Sequence, residues 1–103
     1  MQSIAEILSQ ELNQKQQYIE NVIQLIDEGN TIPFIARYRK EMHGAMDDTT
    51  LRALETRLTY LRNLQQRRDE VRKSIENQGK LTPELSQAID AAASMTEVED
   101  LYR

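Results

Sequence analysis

From Asp47 to Gln78 the chain runs without glycine or proline and is rich in Leu, Arg, Glu and Gln, all good helix formers. Apolar residues fall at Leu51, Leu54, Leu58, Leu61, Leu64, Val71 and Ile75, in steps of three, four or seven that keep one face apolar. Asp47 or Asp48 offers an oxygen to the first turn, and Gly79 stands where a helix end favours the left-handed conformation. The pattern predicts a helix over 48–78, a rod of about 45 Å at about 1.5 Å per residue. A helix cannot cover its own stripe. Either the shorter segments on both sides pack against it, or part of its length receives something outside this chain.

Those shorter segments carry their own signals. Ser3 with Glu6 makes a capping box for a helix over 3–12 with Ile4, Ile7, Leu8 and Leu12 on one side. Asn13 is placed to cap a second helix over 14–28, whose face holds Tyr18, Ile19, Val22, Ile23 and Ile26 and which Gly29 closes. The turn between them is short, so the two form an αα-hairpin. Thr31-Ile32-Pro33 opens a helix over 33–42 in which Phe34, Ile35, Tyr38 and Met42 share a face, and Gly44 stops it. A tyrosine beside arginines could stack on a base, but the spacing from Phe34 and Ile35 places Tyr38 in the core. Thr82-Pro83-Glu84 starts a helix over 83–93 that buries Leu85, Ala88, Ile89 and Ala92. Thr96 with Glu99 makes a capping box for a last helix over 97–103, which has no stop before Arg103 and reads as a fragment of a larger protein. The fold class is all-α: an irregular bundle on one long central helix, with an N-terminal αα-hairpin and a helix-turn-helix-like arrangement.

Composition narrows the function classes. The 103 residues suit one domain at most. With no cysteine, disulfides, thiolate metal sites and cysteine nucleophiles are excluded. There is no run long and apolar enough for a membrane span and no signal peptide, so the expected setting is cytoplasmic. The net charge of −4 hides a segregation. Residues 31–46 carry three bases and one acid, and residues 47–78 seven bases and six acids. Both flanks are acidic: one base and five acids in 1–30, two bases and five acids in 79–103. Internal pairing between acidic flanks and a basic centre stands beside nucleic-acid contact as a reading of that pattern.

The segment Thr31-Ile32-Pro33-Phe34-Ile35-Ala36-Arg37-Tyr38-Arg39-Lys40-Glu41, followed by Gly44 and Asp47-Asp48, resembles a signature of the bacterial Tex family. These are large transcription accessory proteins related to eukaryotic transcript-elongation and histone-chaperone factors. Tyr60-Leu61 to Arg67-Arg68, Ser74 to Thr82, and Glu99-Asp100-Leu101-Tyr102 are similar to the same family in the same order. Ile32, His43 and Met46 depart from it mildly. The resemblance implies an all-helical N-terminal region. It also implies a setting before an RNase-H-like domain, helix-hairpin-helix elements and a C-terminal OB-type RNA-binding domain, none of which fits in this length. The strongest nucleic-acid contacts of such a protein are expected from that C-terminal module.

Two basic groups are the candidate nucleic-acid sites. Arg37, Arg39 and Lys40 are the densest outside the rod, and could contact phosphates or pair with acids of the first two helices. Arg67, Arg68, Arg72 and Lys73 form a girdle late in the rod, interleaved with Asp69, Glu70 and Glu76, as a self-paired solvated face would be. His43, the lone histidine, sits in a loop and is expected to be solvent-exposed. Asp47-Asp48 are read as a helix cap rather than metal ligands, and the three glycines are isolated stops rather than a phosphate cradle. No serine elbow or zinc spacing occurs. No catalytic residue, metal or cofactor is expected, and the chain is read as a non-enzyme. A recognition helix exposes polar residues at its N-terminus, whereas Pro33-Phe34-Ile35-Ala36 reads as buried, so sequence-specific DNA reading is not expected.

The functional expectation is a scaffold domain of a transcription accessory protein that associates with RNA or DNA, with downstream domains of the same protein and with the transcription machinery. The alternative is a protein-docking or self-association module that uses exposed leucines of the rod.

Overall fold

The predicted rod is one helix in the computed structural model, which describes residues 2–102. In chain order the helices are α1 (Ile4–Leu12), α2 (Gln16–Asp27), α3 (Ile32–Tyr38), α4 (Lys40–His43), α5 (Asp48–Asn77), α6 (Pro83–Ala91) and α7 (Met95–Tyr102). The described residues are all-α, and none of these helices is long and apolar enough to cross a membrane. The expectation for Arg103 lies outside the described residues. Contacts divide the chain into two compact units, and α5 contributes to both.

The N-terminal unit, Gln2–Tyr60, holds α1 to α4 and the start of α5. Leu8, Ile19, Val22, Leu25, Ile32, Ile35, Met46, Leu51, Leu54 and Leu58 are its buried apolar side chains. Ser3 starts α1 by accepting from the Glu6 amide at 3.1 Å. Asn13 does not cap α2 as expected. It ends α1 in the left-handed conformation, at φ 55°, which asparagine tolerates better than most residues, and its amide donates to the Ser9 carbonyl. Lys15 takes the position before α2 with no side-chain cap. Arg57 on α5 donates to both oxygens of Glu11 on α1, at 2.9 and 2.8 Å, which holds that carboxyl below its ordinary range.

The helix expected over 33–42 is two. Thr31 caps α3, accepting from the Phe34 amide at 3.3 Å, but Arg39 leaves helical geometry at φ −129°, ψ 38° and the chain restarts as α4. Asn21 of α2 donates to the Met42 carbonyl at 3.0 Å and so holds α4 in place. Gly44 then turns the chain into α5 at φ 68°, and a Cβ there would lie 2.9 Å from the Tyr18 ring, so only glycine fits. Asp47 caps α5, accepting from the Thr50 amide at 2.8 Å, and that hydrogen bond lowers its pKa.

The C-terminal unit begins at Leu61 and holds the rest of α5 with α6 and α7. Leu61, Leu64, Val71, Ile75, Ile89, Ala92 and Val98 form its buried core. Thr82 caps α6, accepting from the Leu85 amide at 3.1 Å. The capping box of α7 is Ser94 with Glu97, two residues earlier than expected. The Ser94 hydroxyl accepts from the Glu97 amide at 3.2 Å, and the Glu97 carboxylate accepts from the Ala93 amide at 2.8 Å. Thr96 and Glu99 make no such box, because Glu99 reaches Arg67 instead.

All seven apolar residues of the α5 stripe are buried by the chain itself. The exposed rod leucines on which docking was to rest do not exist. Replacing Leu54, which is fully buried, by Ala is therefore expected to cost about 2–5 kcal/mol in urea unfolding, against about 1 kcal/mol for the cap change Thr82→Ala.

Candidate nucleic-acid interface

The two basic groups fall in different units and differ in what holds them. In the C-terminal unit, Arg67 donates from Nε and Nη2 to the two oxygens of Glu99, at 2.5 and 3.1 Å, and from Nη1 to Glu70 at 3.3 Å. The fork raises the Arg67 pKa and holds Glu99 below the ordinary carboxylate range. Arg68 donates twice to the Ala92 carbonyl, at 3.0 and 2.7 Å, and so satisfies the end of α6. Arg72 pairs with Asp69 at 3.1 Å and with Asp90 of α6. The girdle is thus a set of clamps from α5 onto α6 and α7. Lys73 is exposed and without an ion pair among the described residues.

Arg37, Arg39 and Lys40 are all exposed, and among the described residues none forms an ion pair with the acids of α1 or α2. The partners of the two arginines are aromatic. The Arg37 guanidinium lies 5.4 Å from the Tyr38 ring centroid, and that of Arg39 lies 5.3 Å from the Phe34 centroid. The two rings are 5.2 Å apart and tilted by 43°. Arg39 also donates to the Tyr38 carbonyl at 3.4 Å.

Tyr38, expected in the core, is 54% exposed. The residues of α3 that point inward are Ile32 and Ile35. On a helix of about 3.6 residues per turn, Tyr38 lies about 90° from the direction these two share. Assigning Ile32 to the cap hid that direction. Pro33, likewise expected to be buried, is exposed, and Phe34 is half-exposed. The aromatic half of this surface was missed, although its signal, Phe34 and Tyr38 four residues apart among arginines, was in view.

His43 reverses its expectation too. It is 2% exposed, and neither ring nitrogen has a hydrogen-bond partner. It is the last residue of α4 rather than part of the loop that follows, and it is the buried residue of that helix.

The model of the Tex-like protein N-terminal domain matches residues 2–76. The chain belongs to this family. It is 54% identical over 100 residues to Protein YhgF of Escherichia coli and 54% identical to the transcriptional accessory protein Tex of Neisseria gonorrhoeae. In each case the match covers 97% of this chain and 13% of the relative. A human S1 RNA-binding domain-containing protein 1 is 31% identical over 96 residues, which is 93% of this chain and 10% of that protein. This Tex-like chain therefore spans about an eighth of the length of the bacterial relatives it matches.

Two measurements check these contacts. Because Arg67 depresses the Glu99 pKa, the stability this pair adds is present above the unfolded carboxylate value, 4.5, and is lost as pH falls through the lower folded value. Urea unfolding of the wild type should thus weaken from about pH 5 downward more steeply than that of Glu99→Gln. Equal pH dependence would show that the pair does not hold in solution. For His43, replacing a buried imidazole that makes no hydrogen bond by an apolar side chain of similar size should stabilise the fold, so His43→Leu is expected to gain about 1–2 kcal/mol.

Proposed function

We propose that this Tex-like chain is a non-catalytic, cytoplasmic scaffold domain of a transcription accessory protein. It associates with RNA or DNA through Arg37, Arg39 and Lys40 and with the transcription machinery through the protein it belongs to. At family level the reading is supported by the name of the gonococcal relative, a transcriptional accessory protein, and by that of the human relative, which holds an S1 RNA-binding domain. One observation carries it at residue level. Three cations adjoin one another in sequence, all exposed, with no carboxylate of the unit engaging them, while the arginines of the other group are committed to α6 and α7. Unpaired cations are what a phosphate backbone engages, through contacts that position the strand without reading its sequence.

No enzymatic role is assigned. Glu11 and Glu99 are held by Arg57 and Arg67, and no three His, Asp or Glu side chains among the described residues gather into a metal-binding set. Docking through the leucines of α5 has no support, since those side chains are buried.

The reading is tested by titrating the chain against labelled single-stranded RNA and duplex DNA while salt is varied. Three phosphate contacts should weaken binding roughly 20- to 40-fold between about 50 and 200 mM salt. Reversing all three charges (R37E, R39E and K40E together) should abolish binding while the helical circular dichroism is retained, and Lys73→Glu should change it far less. Binding by the triple variant at wild-type strength, or an equal loss in the Lys73 variant, would remove the assignment from this surface.

A further inference from the structure

The phosphate reading accounts for three cations but leaves the rings between them unexplained. Among the described residues, only Tyr38 and Tyr102 are exposed large apolar side chains, and their situations differ. The Tyr102 hydroxyl is 2.7 Å from the Ser74 hydroxyl, and its ring lies under Arg67, which Glu99 holds. Tyr102 thereby closes the end of its own unit. The Tyr38 hydroxyl has no hydrogen-bond partner among the described residues, and its ring is the more exposed of the two, at 54% against 37%. Nothing in the N-terminal unit requires that ring, because α3 is anchored by Ile32 and Ile35 on another side.

Arg39, Phe34, Tyr38 and Arg37 follow one another as cation, ring, ring, cation, each step between 5.2 and 5.4 Å. Flat π-faces and guanidinium planes next to unpaired cations meet the two needs of a strand whose bases are not already stacked: a surface for the base and positive charge for the phosphates on either side. A duplex hides its base faces, so it can use only the cations. The short α3 also begins with Ile32, Pro33 and Phe34, which offer nothing to base edges in a groove.

We infer that Phe34 and Tyr38 form a base-stacking site: a base of an unpaired strand lies against Tyr38, while Arg37, Arg39 and Lys40 take the adjoining phosphates. The Tyr38 ring exchanges one flat partner, the Arg37 guanidinium, for another, the base, as that guanidinium moves to a phosphate. The site rests on the nucleic-acid reading proposed above and makes it specific. It takes unpaired strands in preference to duplex, with little regard to sequence, because every base has a π-face.

The test uses the whole chain, with uridine RNA and thymidine DNA strands of one length, an abasic strand of that length and a DNA duplex, at low salt. Tyr38→Ala should weaken binding of both base-bearing strands about 5- to 150-fold, Tyr38→Phe should restore it, and binding of the abasic strand should be the same for all three proteins. In the wild type, the Tyr38 ring protons should shift upfield in NMR spectra on adding a base-bearing strand and not on adding the abasic one. Equal affinities for RNA and DNA mean that the base alone is held, and a preference for RNA that its 2′-hydroxyl is held too; both support stacking. If Tyr38→Ala binds as the wild type does, or the abasic strand or the duplex binds as well as the base-bearing strands, the stacking site is overturned and phosphate contact by the cations stands alone. If nothing binds at low salt, the nucleic-acid reading falls together with it.

Discussion

A 30-residue amphipathic helix exposes its leucines unless other segments lie along it, and most of this fold follows from that constraint. The stripe from Leu51 to Ile75 is covered in two portions, each with its own partners. In the N-terminal unit the buried set includes Leu8 of α1, three residues of α2 and two of α3, so the αα-hairpin and α3 all contribute apolar surface. In the C-terminal unit α6 and α7 are short and contribute mainly Ile89, Ala92 and Val98. With so few buried side chains, the second unit gains most from additional polar attachment.

That difference explains where the arginines go. A bidentate guanidinium–carboxylate pair, or a guanidinium on a helix-terminal carbonyl, adds directional contacts where apolar area is scarce. Arg67, Arg68 and Arg72 make such contacts to Glu99, Ala92 and Asp90, and the acids of α6 and α7 that give this flank its negative charge are partly taken up by them. The exposed fraction of these pairs keeps each contribution modest, so their effect lies more in fixing how α6 and α7 meet α5 than in raw stability. In the N-terminal unit the same chemistry joins Arg57 to Glu11. Arg37, Arg39 and Lys40 are left out of it.

What was legible in the sequence was what depends on local chemistry or on a long period. The α5 stripe, the αα-hairpin and the caps at Ser3, Thr31, Asp47 and Thr82 each follow from residues a few positions apart. The errors have one origin, which is phase. Asn13 and Ser94 shift helix ends by one or two residues, because asparagine serves a left-handed end as well as a start and serine competes with threonine for the same cap. At Arg39 the helix breaks without glycine or proline, and no local signal announces it. Tyr38 was placed inward because Ile32 was given to the cap, and His43 was placed in the loop because α4 was not foreseen. The charge pattern, in turn, located both basic groups but could not say which would find carboxylates. That depends on residues as distant as Glu99, 32 positions from Arg67 and brought near only by folding.

The break at Arg39 also gives the candidate surface its form. Had the helix continued through 42, Arg39 would lie about 140° round the helix from Phe34, pointing to another side. Leaving helical geometry at Arg39 lets its side chain return across the Phe34 ring while Arg37 covers Tyr38. His43, at the end of α4, is a buried imidazole without a hydrogen bond and so a liability to stability, while the preceding α3 carries an outward aromatic pair that the core does not use. Features that cost stability and serve no packing are where a binding role is most reasonably sought. On this chain they lie within ten residues of one another, from Phe34 to His43, on the elements that join the αα-hairpin to the long helix.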